Sequence, residues 1–282
     1  MNATRTGTLK VPGATLHYET AGSGPVLLLI PGGAGDAGLY AGMTPRLAAH
    51  HTVVTYDPRG LSRSPLDGPA GAPPADEQVR VWSDDAHRLL ELLAPDEEAA
   101  VLGCSSGAVV ALDLLARRPQ RLRRVVTHEP PLVELLEDPA PHRALFARVR
   151  ETFRRAGAEA AMARLGEGLS DGTGRQAPEQ PTELPPGVRE MAGRMHANLP
   201  VFLGRVLVPF SSTLPDLAAL RPVADRLTPA AGQDSRGQAA LYGPAVRLAE
   251  LLGSTFVEFP GGHLGAVENP AEFAERLLTV LK

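Results

Sequence analysis

A serine flanked by small residues stands at a point where an apolar run gives way to a helical pattern, in Gly103-Cys104-Ser105-Ser106-Gly107. A sharp strand-to-helix turn strains the backbone at its centre, and only small neighbours permit it. The hydroxyl of Ser105 would then project alone. The backbone N–H of Ser106 would face the reacting carbon and could stabilise the oxyanion of a tetrahedral intermediate. The segment predicts a nucleophile for acyl transfer, although the same residues could form a tight junction without chemistry.

Cys104 is the rival nucleophile, because a thiol is intrinsically more reactive than a hydroxyl. The residue before the nucleophile in such a turn points back into the packed sheet. We therefore expect Cys104 to be a small, buried, apolar side chain.

A serine hydroxyl attacks at neutral pH only when a neighbouring imidazole removes its proton. Of the eight histidines, His263 is the best candidate, because it follows Pro260-Gly261-Gly262 in a loop just beyond the last predicted strand. The chain order, serine first and histidine late, also fits. The alternative is a loop histidine that caps the final helix.

The elements that would position these residues alternate along the first half of the chain. Two short strands flank the turn at Pro12 and Gly13, and continuous apolar runs predict buried strands. The predicted strands are 6–11, 14–20, 26–30, 52–56, 99–102 and 124–127, and the predicted helices are 79–93, with its leucines at 89, 90, 92 and 93 facing inward, and 108–116. Alternating strands and helices predict a mostly parallel sheet.

The alternation of predicted strands and helices stops at about Pro131. Helical segments at 143–155 and 159–165 precede a stretch at 171–187 rich in Pro, Gly and Gln, and no strand is evident there. A weak strand near Val223, a helix through 245–252, a strand at 255–259 and a helix at 270–281 restore the alternation. We interpret 132–215 as an inserted helical cap, with a longer surface excursion as the alternative.

With the turn at Ser105 and the late His263 in place, the chain resembles the α/β-hydrolase fold family from Val26 onward. The resemblance implies an α/β fold with a mostly parallel central sheet flanked by helices. It divides the chain into a first core part, 1–131, the cap at 132–215, and a second core part, 216–282, that carries His263.

The resemblance also implies a second oxyanion donor in the loop after the third strand. The matching run is Pro31-Gly32-Gly33, and the backbone N–H of Gly33 is the implied donor. Proline replaces the family's usual histidine. The segment 57–64 resembles the family's D-x-R-G-x-G-x-S stretch, with Ser62 in place of a glycine, so we expect the backbone of that turn to differ slightly.

A carboxylate must fix the tautomer of the catalytic imidazole, and two positions compete for this role. The family's usual position follows the seventh strand, where Ser235 occupies the expected place and Asp234 comes one residue early. Glu129 directly follows the predicted strand at 124–127, a placement that resembles the haloalkane dehalogenases. We favour Glu129 over Asp234; His128 beside it could play a supporting role.

These residues predict a serine hydrolase that forms an acyl-enzyme with an ester, lactone or thioester and needs no cofactor. Phenylalanines of the cap, at 146, 153, 202 and 210, could line an apolar pocket for a small or medium substrate or hold the cap together. The same scaffold also hosts perhydrolases, cyclases and lyases, so these reactions remain alternatives.

Two other classes of function compete with a hydrolase. Residues 33–38 spell G-x-G-x-x-G after a buried strand, and Asp57 ends the next strand, as in an NAD(P)-binding Rossmann oxidoreductase. The preceding hairpin, Ser105 and His263 argue against that interpretation. A non-catalytic binding module on the same fold is the other alternative.

Composition limits the partners. The net charge of −4 gives no basis for nucleic-acid binding, and no motif for a metal is present. A single cysteine, an opening without a secretory pattern and the lack of a long apolar run favour a cytoplasmic protein without a membrane span. The expected partner is a small-molecule substrate, and a homodimer remains open.

Overall fold

A central sheet organises the protein, as seen in a computed structural model that describes residues 4–68, 71–170 and 186–282. Within those residues, eight strands form one sheet in the order β1-β2-β4-β3-β5-β6-β7-β8. The strands are β1 (Arg5–Val11), β2 (Ala14–Ala21), β3 (Val26–Ile30), β4 (Thr52–Tyr56), β5 (Ala99–Cys104), β6 (Leu122–His128), β7 (Leu227–Gly232) and β8 (Val257–Phe259). The first two strands form the predicted hairpin and pair antiparallel, whereas β3 to β8 run parallel.

Helices cover both faces of this sheet. They are α1 (Thr44–Leu47), α2 (Gln78–Leu93), α3 (Ser106–Arg117), α4 (Ala140–Leu169), α5 (Pro186–Val201), α6 (Leu207–Ser211), α7 (Leu217–Leu220), α8 (Ala239–Leu252), α9 (Gly265–Glu268) and α10 (Pro270–Val280). The side chains of β3 alternate between the two layers, since Leu28 and Ile30 pack with α2 and α3 while Leu27 and Leu29 pack with α1 and α10. A sheet buried on both faces explains why β3 is a continuous apolar run.

The described residues between β6 and β7, 129–170 and 186–226, form helices and loops without a strand. Helix α4 contains a break at Gly157, whose φ of 84° and ψ of −179° separate two helical parts, as the two predicted segments require. A π-helical turn, Phe202–Val206, joins α5 to α6. Apolar side chains of these helices, including Phe146, Val149 and Leu203, form a core of their own. Residues 171–185, most of the stretch rich in Pro, Gly and Gln, lie outside the described residues.

Two predictions about the elements were wrong. No strand forms near Val223, because a 3₁₀ helix with Pro222 in its first turn occupies 221–226, and β7 begins only at Leu227. Leu92 of α2 is 47% exposed, because it lies about 200° around the helix from the buried Leu90. No helix in the described ranges is long and apolar enough to span a membrane.

Candidate active site

Ser105 stands at the junction of β5 and α3 with a backbone conformation that few side chains adopt. Its φ is 53° and its ψ is −123°, in a region that usually requires glycine. Its N–H donates to the carbonyl of His128 at the end of β6, at 2.9 Å, which ties the turn to the neighbouring strand. The side chain is partly exposed, and its hydroxyl has no hydrogen-bond partner among the described residues.

The two glycines around this turn are required by close backbone approach. A Cβ on Gly103 would lie 2.3 Å from the carbonyl oxygen of Gly107, and a Cβ on Gly107 would lie 2.3 Å from that of Ile30. Real Cβ atoms do not approach backbone oxygens so closely. The expectation that only small residues fit at these two positions is confirmed.

Cys104 is enclosed by the sheet and is only 7% exposed. Burial raises the pKa of its thiol to about 12, although a hydrogen bond from Tyr40 acts in the opposite direction. Since the thiolate is the reactive form of cysteine, this burial disfavours Cys104 as a nucleophile at neutral pH. The expectation that Cys104 is a small, buried side chain is confirmed.

Glu129 and His263 meet at the carboxyl edge of the sheet. Glu129 follows β6 and His263 lies in the loop after β8, and the histidine Nδ1 lies 2.7 Å from the glutamate Oε2. The other carboxylate oxygen accepts the N–H of Gly232 at 2.8 Å. The glutamate side chain is fully buried, whereas that of His263 is 31% exposed. The imidazole thus has one nitrogen held by protein and an edge open to a ligand.

The pair keeps the glutamate ionised. Burial raises the pKa of Glu129, but the hydrogen bond and charge of His263, together with the N–H of Gly232, lower it to about 2. The backbone of Glu129 is also unusual, with a φ of 49°, and its N–H donates to the carbonyl of Ala230 on β7 at 2.8 Å. Strand β6 is therefore bonded to both neighbours at the point where the acid emerges.

Asp234, the other candidate acid, lies in a 3₁₀ turn after β7 and is exposed. Its N–H donates to the carbonyl of Gly261 at 3.0 Å, so its backbone supports the loop that carries His263. The neighbouring Ser235 is buried, and its Oγ has no partner among the described residues. The structure brings Glu129, and not Asp234, to Nδ1 of His263.

The loop after β3 lies directly against the turn at Ser105, the candidate nucleophile. A Cβ on Gly32 would lie 2.6 Å from the Cβ of Ser105, and Gly33 has a φ of 59°. The N–H of Gly33 donates to the side-chain Oγ of Ser106 at 2.9 Å. The N–H of Ser106 belongs to the first turn of α3, where backbone donors lack intrahelical acceptors. Both expected oxyanion donors thus lie at the turn, but that of Gly33 is bonded to a hydroxyl.

An aromatic side chain of the helical segment reaches this loop. A Cβ on Gly33 would lie 3.8 Å from Cε2 of Phe202, in the π-helical turn after α5. By contrast, Phe146 and Phe210 are buried in apolar cores, and Phe210 packs edge-on against Trp82. Phe202 therefore lies beside the candidate oxyanion loop.

The G-x-G-x-x-G segment does not fit a pyrophosphate site. It leads into a 3₁₀ helix of four residues, Ala37–Tyr40, whose N-terminus is capped by the carboxylate of Asp36 through the N–H of Gly38 at 2.8 Å. A phosphate would meet that negative charge at the helix end that normally binds anions. The carboxylate of Asp57 accepts the N–H of Ala37 at 3.0 Å and hydrogen bonds from Arg63. The Rossmann interpretation therefore lacks its binding loop.

A polar cluster joins helix α5 to these loops, and sequence analysis missed it. Asn198 donates to the carbonyl of Ala34 and to the hydroxyl of Ser62, each at 2.9 Å, and accepts the N–H of Ser62 at 2.9 Å. Asp36 accepts the hydroxyl of Ser62 at 2.8 Å and Nε of Arg194 at 2.6 Å. We call these four side chains, Asp36, Ser62, Arg194 and Asn198, the latch.

Ser62 was the residue from which the latch could have been predicted, because it replaces a glycine of the family's D-x-R-G-x-G-x-S motif. Its φ of 47° keeps the left-handed conformation that glycine would favour, so the expected change in this turn does not occur at Ser62. The hydrogen bonds of its N–H and Oγ hold a serine in that conformation. No pattern in the sequence of α5 identified Asn198 as one of their partners.

His128 is buried beside the candidate acid, Glu129, but faces an aromatic cluster. Its ring contacts Phe259 and Phe273 edge-on, at centroid distances of 5.9 and 5.1 Å, and its Nε2 has no partner among the described residues. Burial lowers its pKa to about 4, although the charge of Glu129 acts in the opposite direction. A search of the described residues finds no cluster of three His, Cys, Asp or Glu side chains that could hold a metal ion.

Known proteins resemble this chain along its length. The sequence profile of the alpha/beta hydrolase fold matches residues 25–181. An uncharacterised hydrolase of Bacillus subtilis (strain 168), YraK, is 36% identical over 98% of this chain and 96% of its own length. A zearalenone hydrolase of Bionectria ochroleuca is 36% identical, but over only 44% of this chain and 47% of its own length.

Solved structures share the fold. The enol-lactonase from Burkholderia xenovorans LB400 superimposes with a TM-score of 0.65, covering 98% of this chain and 99% of that one, at 21% sequence identity. At this level of identity the likeness concerns the architecture, an eight-stranded, mostly parallel sheet flanked by helices.

Proposed function

Because this chain belongs to the α/β-hydrolase family, we propose that it is a serine hydrolase that cleaves a carboxylic ester, lactone or thioester through an acyl-enzyme. The observation that carries the proposal is the contact of the buried, ionised Glu129 with Nδ1 of His263. The pair lies at the same edge of the sheet from which Ser105 projects.

The ionised acid determines which imidazole nitrogen can act as a base. The carboxylate of Glu129 accepts the Nδ1–H of His263, which leaves Nε2 without a proton. During attack, Ser105 Oγ bonds to the substrate's carbonyl carbon and its proton passes to Nε2. Glu129 stabilises the resulting imidazolium and keeps its own charge.

The second half of the reaction reverses these roles. As the tetrahedral intermediate collapses, the C–O or C–S bond to the leaving group breaks and His263 returns the proton to that group. Water then attacks the acyl-enzyme with His263 as its base, and the acid product leaves Ser105 free. The N–H of Ser106, beside the loop at Gly33, stabilises the oxyanion in both steps.

The selection of the substrate is assigned to the helical segment, residues 132–215, which we interpret as a cap over the sheet. Phe202 beside Gly33 supplies an apolar wall next to the reacting carbonyl. A small or medium apolar acyl group suits this wall. Two similar proteins are named as a zearalenone hydrolase and an enol-lactonase, which supports including lactones among the substrates tested.

The test is a panel of p-nitrophenyl esters from acetyl to dodecanoyl, with lactones and a thioester. We expect turnover of the shorter apolar members and a loss of about 10⁴-fold or more in Ser105→Ala. A fluorophosphonate probe should label Ser105, located by peptide mass spectrometry, and Cys104→Ala should behave as the wild type.

Full activity in Ser105→Ala, or labelling at another residue, would refute the nucleophile. Activity confined to charged or polymeric esters would refute the substrate class while leaving the nucleophile in place. NAD(P) titrated by calorimetry tests the competing oxidoreductase, for which micromolar binding is the expected result.

A further inference from the structure

The side chain that follows the nucleophile makes an unusual contact. Ser106 Oγ accepts the N–H of Gly33 at 2.9 Å, and the residue is only 3% exposed. The backbone N–H of Gly33, which the family resemblance implies as an oxyanion donor, is therefore bonded to a hydroxyl group. Either the hydroxyl of Ser106 prevents the N–H of Gly33 from bonding to the oxyanion, or the hydroxyl donates to the oxyanion itself.

The hydroxyl retains one hydrogen to give. A serine side chain can accept and donate at once, and Ser106 Oγ already accepts from Gly33. Among the residues that the structure describes, no acceptor engages the O–H of Ser106. A nearly buried donor without an acceptor costs free energy unless a ligand supplies the acceptor.

The position of this donor suits the reacting centre. Ser106 follows Ser105 directly, and the loop that holds its Oγ touches the nucleophile, since a Cβ on Gly32 would lie 2.6 Å from the Cβ of Ser105. A hydroxyl that accepts one hydrogen bond becomes a stronger donor in the next, because the bonds polarise each other. The N–H of Gly33 would therefore strengthen the O–H of Ser106.

We propose that the side-chain hydroxyl of Ser106 is an oxyanion donor in its own right. This inference rests on the proposed serine hydrolase function. In the tetrahedral intermediate, the oxyanion accepts hydrogen bonds from the N–H and the O–H of Ser106, while Gly33 is a positioning residue that holds the hydroxyl. No covalent bond to Ser106 forms or breaks.

If the N–H of Gly33 bound the oxyanion itself, the hydroxyl of Ser106 would have to rotate away during catalysis. That rotation would break the bond to Gly33 and leave a hydroxyl in need of another partner on a side chain that is almost fully enclosed. Donation to the oxyanion keeps the existing bond and uses the free hydrogen.

Replacement of Ser106 distinguishes a donor role from a blocking role of its hydroxyl, because the two roles predict different changes in kcat. Ser106→Ala removes the hydroxyl and frees the N–H of Gly33. If the hydroxyl is a donor, kcat for p-nitrophenyl acetate falls by about 10²-fold while KM stays within a few-fold. Ser106→Thr, which restores a hydroxyl, recovers most of this loss. If the hydroxyl only blocks, kcat of Ser106→Ala equals or exceeds the wild-type value.

A transition-state mimic gives a second readout. Ser105 Oγ adds to the carbonyl carbon of an aryl trifluoromethyl ketone, and the serine proton passes to His263. The product carries a tetrahedral oxyanion. We expect its inhibition constant for Ser106→Ala to rise by the same factor as kcat/KM falls. Ser83→Ala, at a buried serine in α2, is the matched control and should leave both values unchanged. Circular dichroism and thermal unfolding monitor folding of each variant.

The outcomes distinguish the inference from the function on which it rests. Loss of activity in Ser105→Ala, with an undiminished kcat and unchanged inhibition in Ser106→Ala, overturns the donor role of Ser106 and leaves the hydrolase intact. A wild-type protein that neither cleaves esters nor reacts with a fluorophosphonate overturns both.

Discussion

Non-glycine residues with a positive φ mark the candidate site at the scale of single residues. In the described part of the chain they are Ser62, Ser105 and Glu129, with φ values of 47°, 53° and 49°. Such conformations cost about 1–3 kcal/mol each and persist where surrounding contacts enforce them. Ser105 is the proposed nucleophile, Glu129 is the proposed acid that contacts His263, and Ser62 belongs to the latch.

The identity of the acid can be tested residue by residue. Glu129→Gln keeps the shape of the side chain but removes the charge that stabilises the imidazolium of His263, so kcat should fall by about 10⁴-fold. Asp234→Asn is the matched control at the competing position, and its kcat should stay within a few-fold of the wild type. Both are measured with p-nitrophenyl acetate at neutral pH. A larger loss in Asp234→Asn than in Glu129→Gln would reverse the assignment.

Between elements, the latch is the connection with most bearing on the site. Asn198 of α5 bonds to the carbonyl of Ala34, in the loop that carries Gly33, and to Ser62. Arg194, one helical turn earlier, pairs with Asp36 at 2.6 Å. One face of α5 therefore fixes the spacing between the proposed cap and the oxyanion loop.

Removal of Asn198 should loosen this spacing. Asn198 is 4% exposed, and Asn198→Ala leaves the N–H of Ser62 and the carbonyl of Ala34 without their partner. We expect a loss of about 1–3 kcal/mol in the free energy of unfolding, together with a lower kcat. Thermal unfolding and steady-state kinetics measure the two effects.

The control lies on the same helix. His196 is exposed, so His196→Gln should change neither stability nor kcat. Wild-type stability and turnover in Asn198→Ala would show that the latch does not hold the loop.

Across the whole molecule, buried histidine gives the stability a defined pH dependence. Burial lowers the pKa of His128 to about 4, so between about pH 4 and 6.5 the unfolded chain binds a proton at this residue that the folded chain does not. Stability therefore rises with pH across that window. Burial also lowers the pKa values of His51 and His87, which act in the same direction.

Replacing His128 should flatten this dependence. His128→Phe keeps a ring against Phe259 and Phe273 but cannot titrate, so the slope of unfolding free energy against pH should fall by about 1.4 kcal/mol per pH unit inside the window. Urea unfolding at several pH values between 4.5 and 6.5 measures it, with His196→Gln as the control. An unchanged slope would show that His128 is not the group responsible.

Much of the fold was predictable because its signals are local. The apolar runs at β3, β4 and β5 identify strands buried on both faces, and the break at Gly157 separates two helical segments. The strand near Val223 was misplaced because Pro222 favours a 3₁₀ turn there, and β7 itself, with Pro229 and small residues, carries little strand pattern.

The turn at Ser105, the proposed nucleophile, can be derived from sequence, since glycines at 103 and 107 around Ser105 encode a backbone approach that no other residue allows. The sequence also narrowed the acid to Glu129 or Asp234. Only the tertiary structure brought Glu129 to His263, attached Ser106 Oγ to Gly33 and joined Asn198 to Ser62. Strand order and loop packing create these contacts between residues 73 to 136 positions apart, and no local pattern records such distances.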